Sequence, residues 1–174
     1  MHTLTLSWRP GIGGLVAAVS DALLPMPLRE APAPDARRVR PLHVTLLRSA
    51  SMAPLVPVLG REATALCARL PPVPAGVLLP ALHRASRPPH PVKDPAGTTV
   101  RRMTWFFVPA DPEPLRRALA DIVGALDGAS RARGGTPFPH PEPRRFFHVS
   151  VYNNRGGDAW RSIGDIGPED LGAG

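Results

Sequence analysis

Two short segments carry residue types that move protons. Leu42-His43-Val44-Thr45-Leu46 and Phe147-His148-Val149-Ser150-Val151 share one pattern: apolar, histidine, apolar, hydroxyl, apolar. Side chains alternate between the faces of a strand, so His148 and Ser150 fall on one face and Phe147, Val149 and Val151 on the other. Core packing gives a strand no reason to aim an imidazole and a hydroxyl at the same point. The other histidines, His2, His83, His90 and His140, lack a hydroxyl residue two places on. A lone histidine of that kind is ordinarily a satisfied, half-buried residue; the doubled pattern calls for a chemical reading.

Two imidazoles facing one cavity suit general acid–base chemistry. One, neutral, takes a proton from water or a hydroxyl; the other, charged, returns one to a leaving oxygen. Thr45 and Ser150 can donate hydrogen bonds to oxygens on which charge builds in the transition state. This set fits in-line cleavage of a phosphodiester without a metal or cofactor. Serine-hydrolase chemistry fits worse, because no Gly-x-Ser-x-Gly elbow is present and Ser150 shares a strand with its supposed base. A zinc site also fits worse, for want of His-Glu-x-x-His or a Cys/His cluster.

The elements that must position these residues follow from periodicity and punctuation. Thr3–Trp8 alternates as a first strand. Gly11-Ile12-Gly13-Gly14 has only part of a dinucleotide-binding glycine loop, so it reads as a turn, and Leu15, Val16, Val19 and Leu23 then fall at helical spacing. Residues 25–41 hold five prolines and four arginines and predict an extended surface connection. The first histidine strand follows, Leu42 to Arg48. Leu55, Leu59, Ala63, Leu66, Cys67 and Leu70 mark a helix over about 53–69, stopped by Pro71 and Pro72. Residues 76–82 and 99–108 read as strands, with an exposed proline-rich hairpin loop over 87–97. Asp111-Pro112-Glu113 opens a helix that closes near Gly128. A Gly/Pro/Arg loop over 130–145 leads into the second histidine strand, Phe146–Asn153, and the tail from Gly156 shows no readable period. The order (strand, helix, His-strand, helix, then strand, strand, helix, His-strand) predicts an α+β domain with two sheets or lobes across a cleft.

His43-Val44-Thr45-Leu46 and His148-Val149-Ser150-Val151 resemble the paired His-x-Thr/Ser-x motifs of the 2H phosphoesterase superfamily. That group includes RNA 2′-5′ ligase-like proteins, cyclic nucleotide phosphodiesterases, RNA 3′-end processing enzymes and RNA-repair-like members. The 105-residue separation of the histidines and the element order are similar to the family's, over about Leu4–Asn153. The resemblance implies a bilobal, pseudo-twofold fold with two antiparallel sheets flanking a central groove and helices outside. It implies His43 and His148 as the acid–base pair and Thr45 and Ser150 as phosphate-holding hydroxyls. The implied substrates are RNA ends, 2′,3′-cyclic phosphates, or 2′-5′ or 3′-5′ linkages. Arg48 and Arg155, just beyond the motif strands, are candidate phosphate ligands. Tyr152, on the Ser150 face, is a candidate to stack on a base or sugar, and packing accounts for it equally well. The polar glycine stretch 152–158 resembles the RNA-repair-like members, whereas the proline-rich insert before His43 departs from compact ones. Two rivals stand beside an RNA-end phosphodiesterase: a hydrolase of small cyclic oligonucleotides, and a catalytically silent RNA-binding module.

Composition sets the outer limits. The 174 residues suffice for one domain spanning 1–174. The formal net charge is +7, and every basic residue except Lys93 is arginine. With 24 prolines and 16 glycines this resembles GC-rich coding bias, so the charge argues only weakly for an anionic ligand. The arginines are spread along the chain, which gives no special support to a nucleic-acid-coating role. A single cysteine, Cys67, allows no intramolecular disulfide and reads as buried filler. No apolar run reaches 18 residues, and the N-terminus lacks a basic-then-apolar profile. The expectation is a cytoplasmic, soluble monomer.

Overall fold

The computed structural model describes residues 3–10, 13–89, 100–138 and 145–172. The described strands are β1 (Thr3–Leu4), β2 (Leu6–Trp8), β3 (Leu15–Ala18), β4 (Arg37–Arg38), β5 (His43–Leu47), β6 (Val73–Pro74), β7 (His83–Arg87), β8 (Arg102–Phe107) and β9 (Val149–Asn153). The described α-helical segments are α1 (Ser49–Met52), α2 (Val56–Leu59), α3 (Ala63–Arg69) and α4 (Glu113–Arg131). This is a mixed α+β chain with two antiparallel sheets. One has β1 on β6; the other has seven strands in the order β2-β3-β5-β9-β8-β7, with β4 pairing β9 off that path. No described helix is long and apolar enough to cross a membrane.

Both histidine segments belong to the seven-stranded sheet and lie side by side in it. Val44 pairs with Val149, and antiparallel register then sets Thr45 across from His148 and His43 across from Ser150. Val44, Leu46, Val149 and Val151 turn the other way, into the main core. There they join Leu115, Ala118, Leu119, Ile122, Val123 and Leu126, the apolar stripe of α4. The first turn of α4 is closed by the Asp111 carboxylate, which accepts from the Glu113 N–H at 2.9 Å. The helix runs past Gly128 to Arg131, supported by the Asp127–Arg131 ion pair at 2.8 Å. Truncating Leu119, which is buried in this layer, to Ala is expected to cost about 2–5 kcal/mol.

Several expectations from the sequence are corrected. The helix expected after Gly14 is instead β3, hairpinned with β2 and paired with β5. Leu15 and Ala17 pack into the main core while Val16, also buried, faces the other side of the sheet; with apolar residues on both faces the strand shows no polar alternation and imitates a helical stripe. Gly14 permits the pairing, since a Cβ there would sit 2.0 Å from the Leu47 carbonyl oxygen. The 25–41 segment is more than a surface connection: Ala36 and Val39 are buried and β4 adds to the sheet. Asp21 anchors it through Arg38 at 3.0 Å and Arg40 at 2.9 Å. The helix over 53–69 is broken into α2, α3 and intervening 3-10 turns, with Pro54, Pro57 and Gly60 at the breaks.

The strand expected over 76–82 is replaced by an isolated Leu78–Pro109 bridge, with Val77 78% exposed, and pairing begins at His83. β7 and β8 pair as a hairpin, with β7 in place of the expected 76–82 leg, and residues 90–99 between them, which include 90–97 of the expected loop, lie outside the described residues. Residues 139–144 of the expected 130–145 loop also lie outside them. β9 begins at Val149 rather than Phe146, and His148 immediately precedes it.

Candidate active site

His43, Thr45, His148 and Ser150 line one open cleft of about 370 Å³. Its floor comes from β3, β5, β9 and the residues just before β9; a wall comes from Ala159, Trp160, Ser162, Ile163 and Gly164 of the tail. Arg48 and Arg145 add positive charge. Of the residues singled out from sequence, the structure thus gathers His43, Thr45, His148, Ser150 and Arg48.

Tyr152 is not part of the lining. Its ring is packed in the core, 5% exposed, and its hydroxyl donates to the Glu30 carbonyl at 3.2 Å. A bulge in β9, where Trp105 pairs with Tyr152 but Phe106 with Ser150, breaks the alternation between the two, so Tyr152 turns into the core with Val149 and Val151 and its hydroxyl holds the proline-rich segment. Arg155 stands beyond β9, outside the lining, with its backbone N–H donating to Asn153 Oδ1 at 2.9 Å.

Each histidine is held differently. The Nδ1 of His43 lies 3.1 Å from the Pro41 carbonyl, which can only accept, so Nδ1 carries the proton and Nε2 is left for the cleft. Its ring stacks on Trp160, centroids 5.2 Å apart and planes 26° from parallel. Burial lowers its pKa below the ordinary 6.5, and the Pro41 bond opposes that shift. His148 is 8% exposed, with Phe106 edge-on at 5.6 Å and Phe146 stacked at 6.3 Å. Among the described residues its Nδ1 has no partner in hydrogen-bond geometry, although the Phe146 backbone is near enough to offset part of the shift. Burial, then the Arg145 charge, push the His148 pKa down to about 3, with smaller contributions from His43 and Arg48.

Arg145, Trp160 and Ser162 were not singled out from the sequence. Arg145 is 6% exposed, and its Nε donates to the Thr45 carbonyl at 3.3 Å, so it crosses from one motif to the other. Its only sequence signal was its place three residues before His148. Trp160 sits in a 3-10 turn, Ala159–Arg161, whose start is capped by Asp158 accepting from the Trp160 N–H at 2.9 Å. The Asp-x-Trp order was legible; the stacking partner 117 residues earlier was not.

Asn153 fixes this tail. It is wholly buried, its Nδ2 donates to the Asp158 carbonyl at 2.8 Å and to Ser162 Oγ at 3.0 Å, and its Oδ1 accepts from Arg155 N and Gly157 N at 2.9 Å each. Farther on, Arg87 clasps Asp170 through two 2.8 Å bonds. The Arg87 bonds hold the Asp170 carboxyl below its usual range against the opposing effect of burial.

Among the described residues no three His, Cys, Asp or Glu side chains gather as a metal site would require. The arrangement offers two imidazoles, two hydroxyls and two guanidinium groups around a space in the size range of small-ligand sites. No protein-family model matches the chain, and no curated protein or solved structure matches it.

Proposed function

We propose that this protein is a phosphodiesterase of 2H type, acting on RNA ends or 2′,3′-cyclic phosphates by two-histidine general acid–base catalysis without a metal. One observation carries the reading: both His-x-Thr/Ser segments put all four polar side chains into a single cleft beside Arg48 and Arg145. Mere binding of RNA needs cations and stacking surfaces, not two imidazoles with Thr45 and Ser150 alongside. The hydroxyls would hold the non-bridging oxygens and the arginines would offset developing charge. The seven-stranded sheet also divides at the Val44–Val149 pair, with β2-β3-β5 on one side and β9-β8-β7 on the other. Each trio ends on its histidine strand, which supports a pseudo-twofold, bilobal origin.

The test is ring opening of a short RNA ending in a 2′,3′-cyclic phosphate, in excess EDTA. The wild type is expected to open the ring, and folded His43→Ala and His148→Ala variants to lose about 10²–10⁴-fold of the rate. Activity abolished by EDTA and restored by a divalent ion would sink the metal-free reading. RNA binding with no turnover on cyclic ends, small cyclic oligonucleotides or 3′-5′ linkages would make the protein a binding module.

A further inference from the structure

The cleft has a neighbour. Gly13 and Ser49 line it, and the same two residues line a second hollow of about 280 Å³, so the two spaces share a rim. The rest of the second wall comes from Trp8 at the end of β2 and from Ala50, Met52, Ala53 and Val56, in the segment after β5. Chain order explains the adjacency. β5 delivers Thr45 to the cleft, Arg48 follows the strand, and α1 starts at Ser49, so one motif leads straight into the second hollow.

The two spaces differ in chemistry. Among the described residues no carboxylate lines either, and both cations, Arg48 and Arg145, belong to the cleft. Arg145 is tied to the motifs through its Nε bond to the Thr45 carbonyl, whereas Arg48 adjoins Ser49 of the shared rim. The second hollow offers an indole, a thioether and aliphatic groups, with the Ser49 hydroxyl at its edge. Such a lining suits a flat heterocycle better than a sugar or a phosphate. Trp8 is 6% exposed, and its buried indole N–H has no acceptor among the described residues. A buried donor in that state is costly, and the ring nitrogens and carbonyl oxygens of nucleobases are acceptors. Ala50 and Ala53 are exposed on this wall, where larger side chains would fill the space.

We propose that this hollow is a second subsite, which takes the base of the nucleoside one phosphate before the reacting end, with Arg48 holding the intervening phosphodiester. This rests on the phosphodiesterase reading above and narrows it, since the preferred substrate is then an RNA chain and not a cyclic mononucleotide. The reacting phosphate lies among the two histidines, Thr45, Ser150 and Arg145, and the chain leaves past Arg48 over the rim. Gly13 keeps that crossing low. A Cβ there would stand 3.5 Å from Arg9 Cβ and 3.8 Å from Trp160 Cη2, so the fold itself has room for a side chain.

The experiment compares ring opening of uridine 2′,3′-cyclic phosphate, of UpU ending in the same group, and of that dinucleotide with its first base removed. Stacking one base changes affinity by roughly 5- to 150-fold, so UpU should exceed the mononucleotide in kcat/KM by about tenfold or more, carried by KM. The abasic dinucleotide should lose most of that advantage. Ala53→Phe and Ala50→Leu each fill the hollow from an exposed position outside the cleft. Either should bring the UpU and mononucleotide values to within about threefold of each other. Equal values in the wild type, or an advantage that survives base removal or both filling variants, overturn the subsite.

A wild type inert on all three substrates overturns the phosphodiesterase reading instead, and binding then decides the subsite. Fully 2′-O-methylated UpU 3′-phosphate has no 2′-hydroxyl to react. It should shift the Trp8 indole ¹⁵N–¹H resonance, identified by its absence from Trp8→Phe, whereas 2′-O-methyluridine 3′-phosphate should not. A Trp8 resonance that neither ligand moves refutes base binding in the hollow.

Discussion

At the scale of single residues, His148 links the site to pH. Its folded pKa, about 3, lies below the ordinary 6.5 expected of the unfolded chain. Above pH 6.5 both states hold it neutral and it makes no difference. As pH falls below 6.5 the unfolded chain takes up a proton that the native state refuses, so stability falls, and the loss continues until pH reaches about 3. His43, lowered in the same direction, adds to the slope. The melting temperature of the wild type should therefore drop between pH 6.5 and 5, above the range in which the carboxylates titrate. His148→Asn should flatten that slope whatever its own absolute stability; an equal slope in both proteins would place His148 in a solvated, ordinary environment. Catalysis should show the same asymmetry. An anionic phosphate in the cleft opposes the Arg145 and Arg48 charges and favours imidazolium, so the kcat profile should lie at higher pH than that of kcat/KM, which reports the free protein. Coincident profiles would mean that substrate charge does not reach the histidines.

The elements around the site show why half of it could be read in advance. β5 and β9 were legible because one face of each is core and the other is chemistry, which writes a period of two into His43-Val44-Thr45 and His148-Val149-Ser150. β3 was not, since it sets an apolar residue, Val16, on the cleft face as well as Leu15 and Ala17 on the core face, and so carries no polar period. Tyr152 was placed on the wrong face because strand parity assumes an unbroken strand, and the bulge in β9 between Ser150 and Tyr152 leaves no mark in the sequence. The tail was opaque for another reason: its order comes from the amide of Asn153, a single side chain satisfying four partners, not from apolar repetition. Gly157 depends on the same knot, with φ of 79° and a Cβ position only 2.4 Å from the Arg38 carbonyl oxygen. Asn153→Ala should cost on the order of 3 kcal/mol by leaving buried groups unpaired. It should also expose residues 155–172 to limited proteolysis before global unfolding, and slow ring opening through loss of the Trp160 contact. Proteolysis that appears only with global unfolding would show the tail to be held chiefly by Arg87–Asp170.

Across the whole molecule, the net charge of +7 overstates how much of the surface is available to nucleic acid. Arg38 and Arg40 converge on Asp21, Arg87 on Asp170 and Asp165, Arg116 on Glu113, Arg131 on Asp127, and both Arg69 and Arg133 on Glu62. These pairs fasten the proline-rich segment, the tail and the ends of α4, so the cations serve the fold where they stand. The guanidinium groups that line the cleft are Arg48 and Arg145, with Arg9 near its Trp160 wall. A protein that coats RNA through its overall charge would release one counterion for each phosphate it neutralises, at a slope of about −0.7 per contact for single strands. Two or three contacts give a slope of roughly −1.4 to −2.1 in log K against log salt, far from the value of about −5 that seven contacts would give. Binding of a catalytically dead His43→Ala protein to a short RNA, measured between 50 and 300 mM salt, should follow the shallow slope. Arg48→Ala should reduce that slope by about 0.7. A steep slope insensitive to Arg48 would move recognition out of the cleft and onto the surface at large, where the two histidines could not govern which RNA is chosen.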